Sequence, residues 1–170
     1  MNLAELYSGV FDAFQKRYKK MGVHESYPES LDGATKAANM YLSLASFEKE
    51  SINTDGTLEV IAHFEVRYYL PQIDGETEPE LERRARALAG SIATFVTQNN
   101  FKIDGTYEAE FIDAWDESAT YAKGLFKAWM LNFDVTAQIS EHHPEDTELE
   151  SGGFTDEEIK NAVLSWDETP

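Results

Sequence analysis

Side chains able to do chemistry are scattered along this chain, and their spacing decides what they could do. Glu108 and Glu110 are two apart, so an extended backbone would place them on one face as the carboxylate pair that acid-base chemistry on a glycosidic bond requires. In a chain with 32 acidic residues that spacing has little meaning, and no catalytic role is assigned to it. The histidines are His24, His63, His142 and His143, the last two flanked by Glu141 and Glu145. Adjacent histidines in a polar stretch read as solvated side chains, and the His-Glu-x-x-His spacing that would hold zinc on a helix is absent. Without cysteine there is no thiolate nucleophile, no disulfide framework and no cysteine-ligated metal. Neither a Gly-rich phosphate loop nor a Gly-x-Ser-x-Gly elbow occurs. The expectation is a non-enzymatic protein with no cofactor and no metal site, whose work is binding other protein chains.

Charge sharpens this. A net charge of −18 repels phosphate at long range and opposes nucleic-acid binding. Trp115 and Trp129 are expected in the core, because basic residues do not interleave with them as a base-stacking platform would need. Residues 141–170 carry ten acids against one base, Lys160, so this segment supplies −9, half of the total. Of the fourteen bases, four cluster at Lys16, Arg17, Lys19 and Lys20, and three at Arg83, Arg84 and Arg86. Two readings stand side by side: solvated helix faces, or charge complementary to another copy of the chain or to a partner.

The elements that must position these groups follow from periodicity. A chain of 170 residues that is 42% hydrophobic and 27% charged has the composition of a globular domain. No apolar run is long enough to suggest a transmembrane helix or a signal peptide. Leu3, Leu6, Val10, Phe11, Phe14 and Tyr18 recur at helical spacing and predict a helix over residues 3–21, ended by Gly22. Residues 24–36, with Pro28 and Gly33, read as a loop. Strands are predicted over 39–49 and 57–70, joined by the turn Asn53-Thr54-Asp55-Gly56. The second has Leu58, Val60, Ala62, Phe64, Val66, Tyr68 and Leu70 on one face and Glu59, His63, Glu65 and Arg67 on the other.

A second helix is expected over 79–97, its inner stripe formed by Leu81, Ala85, Leu88, Ile92, Phe95 and Val96. A strand over 106–115 puts Tyr107, Ala109, Phe111 and Trp115 on one side, and a last strand runs over 125–139 with only Lys127 breaking its apolar face. The predicted fold is therefore α+β: a two-layer sandwich of a mainly antiparallel four-stranded sheet covered by two helices, in a core of residues 1–139.

Residues 140–170 differ in kind and form an acidic extension. Pro144 and Gly152-Gly153 mark 140–153 as a linker. Thr155 and Glu158 have capping-box spacing, and Phe154 with Ile159 fit a hydrophobic staple, so a short helix is predicted. Its stripe of Ile159, Ala162, Val163 and Trp166 needs a surface, either its own domain or a neighbouring subunit or partner.

The order of elements, with Met40-Tyr41-Leu42-Ser43-Leu44, Tyr68-Tyr69-Leu70-Pro71, the acidic connector and Trp129-Met130-Leu131-Asn132-Phe133-Asp134-Val135, resembles the tail terminator proteins of long-tailed bacteriophages, the lambda-like minor tail protein U group. The likeness spans residues 3–139 and is one of pattern, without a signature motif. It implies a structural protein of phage or prophage that forms a homohexameric ring, caps the tail tube and ends its polymerisation. The implied partners are further copies of itself, the tail tube protein and a head-completion protein. The implied location is the tail of the virion, assembled in the host cytoplasm. In such a ring Lys16, Arg17, Lys19, Lys20, Arg83, Arg84 and Arg86 would be candidates for subunit contact, with Phe154, Ile159, Val163 and Trp166 on the arm. Rival readings are another head-tail connector or neck protein, and an acidic inhibitor that mimics DNA; the second sits poorly with a charge half of which lies in the last thirty residues.

Overall fold

A computed structural model describes residues 1–25, 37–53, 57–120 and 126–139. The fold is α+β. Helix α1 spans Leu3–Arg17, strand β1 Gly22–His24, β2 Asn39–Ile52 and β3 Leu58–Pro71. Helix α2 spans Glu78–Val96, followed by β4 Glu110–Asp116, a single 3-10 turn at Ser118–Thr120, and β5 Phe126–Ile139. The strands form one sheet in the order β1-β2-β3-β5-β4. β3 is its centre, antiparallel to β2 from Asn39↔Tyr69 to Ile52↔Leu58 and to β5 from Leu58↔Ile139 to Pro71↔Phe126.

Local chemistry starts each helix. In α1 the Asn2 carboxamide accepts from the Glu5 amide at 2.9 Å and the Glu5 carboxylate accepts from the Asn2 amide at 2.9 Å, a reciprocal capping box. In α2 Glu80 accepts from both the amide and the hydroxyl of Thr77, at 2.8 and 2.7 Å. Both helices lie on one face of the sheet. Leu6, Val10 and Phe14 of α1 and Leu81, Ala85, Ala89, Ile92 and Val96 of α2 are buried against Val60, Phe64, Val66, Leu131, Phe133 and Val135. Phe14 is the hub of an aromatic cluster, 5.3 Å from Phe95 and 5.8 Å from Phe133 between ring centroids. The phenol of Tyr68 donates to the Ala85 carbonyl at 2.7 Å and pins α2 to β3.

Four differences from the sequence expectations have physical causes. β1 lies where a helix end and a loop were expected, and it adds a fifth strand, parallel to β2 through Gly22↔Asn39 to His24↔Tyr41. Three residues are too few for any periodicity to register. At Gly22 the chains approach closely: a Cβ would lie 2.6 Å from the Asn39 side-chain oxygen and 2.7 Å from His24 Nε2, so a larger residue would displace those two side chains. Helix α1 stops at Arg17, so Lys19 and Lys20 sit in a turn beyond it.

Trp115 is not in the core. A bulge between Phe111 and Asp113 inserts Ile112, so the alternation inverts: Ala114 packs against the core, while Trp115 pairs with Met130 on the opposite face and is 39% exposed. Tyr107, predicted to share the face of Ala109 and Phe111, lies outside β4 and is exposed. Trp129 does pack on the core.

Lys127, the charged residue on the apolar face of β5, meets the acidic start of α2: its ammonium is 3.1 Å from Glu82 and 3.9 Å from Glu78. The predicted extension, including Phe154, Ile159, Val163, Trp166 and the His142-His143 pair, lies outside the described residues, as does the 54–56 turn. The hairpin itself is observed in the pairing of β2 with β3.

Candidate functional site

Three surfaces are built by this architecture. The first is the sheet face away from the helices. Polar side chains meet there across the sheet: His63 Nδ1 lies 2.7 Å from Asp134, its register partner on β5, and Arg67 Nε donates to Glu117, just past β4, at 2.7 Å. His63 Nε2 faces Glu48 at 4.0 Å, a carboxylate where a nucleophile relay would need a hydroxyl. Tyr41, Tyr69, Phe126 and Ala128 form a small apolar cluster on the same face. These pairs join residues 50 and 71 apart in sequence, and only strand register brings them together. Among the described residues no three metal-ligating side chains converge. No helix among them is long and apolar enough to cross a membrane.

The second surface is the pair of sheet edges. Along β2 the β1 pairing ends at Tyr41, and beyond it no strand among the described residues pairs with the outer edge. On this stretch Phe47 is 53% and Ile52 63% exposed. Both sit on the helix side of the sheet, opposite Ala62 and Leu58. At the other end of the sheet, β4 is likewise an edge among the described residues, and it carries exposed Ile112 and Trp115, with exposed Tyr107 just before it. Glu48, Lys49 and Glu50 on one edge and Glu110, Asp113 and Asp116 on the other are exposed, and edge charges oppose indiscriminate strand pairing. Sequence reading did not single out Phe47, Ile52 or Ile112, and it grouped Tyr107 and Trp115 with Ala109 and Phe111 on one strand face, because exposure at an edge depends on strand order, which periodicity does not carry.

The third surface is a cleft of about 480 Å³ between α1 and the segment that leaves α2. Its floor is Ala13, Phe95, Phe101 and Ile103, and its rim carries Lys16, Arg17 and Lys102. The 98–102 segment is shaped by left-handed backbone at Gln98, Phe101 and Lys102, with φ between 55° and 59°. Such a conformation costs roughly 1–2 kcal/mol per residue without glycine. Asn99 and Asn100 offset part of it by accepting from the amides of Phe101 and Lys102 at 2.8 and 3.1 Å. The Arg17 guanidinium stands 6.0 Å from the Phe95 ring centroid.

No family model matches the chain, and no curated protein matches it. Among solved structures, a chain of the virion of a native gene transfer agent particle aligns with 14% identity and a TM-score of 0.44, over 69% of this chain and 79% of that one. A chain from an extracellular contractile injection system, described as the PVC sheath/tube terminator in its extended state, aligns with 13% identity and a TM-score of 0.38, over 98% of this chain and 70% of that one.

The structure sorts the predicted basic residues. Arg84 is engaged within the chain: its guanidinium donates twice to Glu76 at 2.8 Å and to the Pro71 carbonyl. That hydrogen bonding holds the Glu76 carboxyl below the usual carboxylate range. Arg86 pairs with Glu82 at 2.8 Å but stays 69% exposed, and Arg83 is exposed. Lys19 and Lys20 are exposed, Lys19 lining a smaller cleft with Gln15, Met21 and Val23. Only Lys16 and Arg17 of the first cluster meet in the larger cleft, joined by Lys102 from a distant segment.

Proposed function

We propose that this chain is a non-enzymatic structural subunit that assembles side by side into a closed ring, the ring capping a phage-type tail tube and forming its head-tail joining surface. One observation carries the assembly: the exposed large apolar side chains of the sheet gather on its two unlike edges, Phe47 and Ile52 on one and Ile112 and Trp115 on the other. Two different edges that fit each other make a heterologous contact, and a heterologous contact closes into a ring when the rotation per subunit divides the circle. The tail-tube role comes from the sequence resemblance over residues 3–139, which also implies six subunits, the tube protein and a head-completion protein as partners. Lys19, Lys20, Arg83 and Arg86, exposed in an acidic chain, are offered for steering register between copies.

The test is electron microscopy of the full-length protein beside Phe47→Asp and Ile112→Asp variants. Rings for the wild type and their loss in both variants support the reading. Rings of unchanged size in both variants would remove the edges from the assembly.

A further inference from the structure

The α1 cleft has the inverse chemistry of the chain that builds it. Lys16, Arg17 and Lys102 line it against one acid, Asp12, which already lies 3.8 Å from Lys16, in a protein of net charge −18. Beneath the cations lie Phe95, Phe101 and Ile103. A ligand for such a place needs an apolar stripe flanked by carboxylates. The segment after β5 has that composition: Ile159, Val163 and Trp166 at helical spacing, with Asp156, Glu157 and Glu158 at the predicted helix start.

The path fits as well. The Gln138 amide donates to the Gly105 carbonyl at 2.8 Å, so the last strand leaves the sheet beside the loop that carries Lys102 and Ile103. Residues 140–153, extended, reach roughly 45 Å, more than a short tether to a neighbouring cleft requires. A tether of that length holds its ligand at an effective concentration of the order of millimolar, ahead of any second molecule in dilute solution. Thirteen residues from Phe154 to Trp166 are too few for a stable isolated helix, and docking would supply what propensity lacks.

We infer that Phe154–Trp166 docks as a helix in the α1 cleft of its own molecule, its apolar stripe on Phe95, Phe101 and Ile103 and its acids toward Lys16, Arg17 and Lys102. The inference stands apart from the ring reading, since it concerns a contact within one molecule.

The chain has no cysteine, so two introduced ones report only their own encounter. In the full-length protein Lys16→Cys with Glu158→Cys should form an intrachain disulfide at least tenfold faster than Ile73→Cys with Glu158→Cys. Lys16 has a 76% exposed side chain, and Ile73 lies beyond the opposite end of β3. Adding Trp166→Ala to the first pair should erase most of that difference. Amide exchange of residues 156–166 should be slowed in the wild type and return to the rate of an unstructured peptide in the triple variant Lys16→Glu, Arg17→Glu, Lys102→Glu. Equal oxidation rates for the two pairs, a disulfide linking two chains, or unprotected amides in the wild type would each overturn the inference.

Discussion

The Lys127 ammonium lies 3.1 Å from the Glu82 carboxylate, joining the one charged position on the apolar face of β5 to the acidic start of the helix that covers it. The Lys127 side chain is 17% exposed, and its bond to Glu82 raises its pKa above the usual lysine value. Replacing it with Met keeps the packing of the stem and removes the bond; Glu82 retains Arg86 at 2.8 Å. Lys127→Met should therefore cost on the order of 1 kcal/mol in urea unfolding at neutral pH. A raised folded pKa means that the contribution is complete below the ordinary lysine range and is lost as pH rises through the higher folded value. The gap between variant and wild type should close only in strong base.

Glu76 and Arg84 give the opposite pH dependence. The Glu76 carboxyl is held down by its bonds to Arg84. Its contribution is present above the ordinary carboxylate range and lost as pH falls through the lowered folded value. Arg84→Met should lower the melting temperature at pH 7, and the deficit should shrink on acidification below the usual carboxylate range. A deficit that stays constant as pH falls well below that range would show that packing of the arginine stem, not the pair, is what the variant loses.

Tyr68 is fully buried, and its hydroxyl donates to the Ala85 carbonyl. Burial drives its phenol pKa well above the usual tyrosine value, so the group stays neutral across the stable range. Tyr68→Phe removes one neutral hydrogen bond without leaving a cavity and should cost about 1 kcal/mol. Phe14→Ala opens the aromatic hub and should cost about 3–5 kcal/mol. Chemical denaturation of the two variants should rank them in that order.

The sheet was legible in sequence wherever a long strand has one dry face. From Val60 to Leu70 alternation places six apolar residues correctly because the helices cover that face continuously, and the β5 face from Leu131 to Ala137 reads the same way. Alternation failed at β4, since one inserted residue at the bulge reverses inside and outside and sends Trp115 to the open face. β1 escaped because its three residues are held by backbone pairing to Asn39–Tyr41, which leaves no side-chain pattern. Of the candidate site, the Lys16–Arg17 cluster was visible as a charge run. Lys102 was not, since only the left-handed turn after α2 carries it to the same cleft.

The two edges should complement each other. A Phe47→Asp variant keeps an intact β4 edge, and an Ile112→Asp variant keeps an intact β2 edge. Each alone should be monomeric, with stability within about 0.5 kcal/mol of the wild type, since both positions are exposed. Mixed in equal amounts they should form a heterodimer and nothing larger, each supplying the edge that the other lacks. Sedimentation velocity separates these species.

The most direct test of the assembly is the solution mass of the full-length protein by native mass spectrometry. The ring reading predicts a single closed species, with six times the 19.2 kDa of one chain as the expected size, persisting on dilution. A mass of one chain at every concentration reached would contradict it.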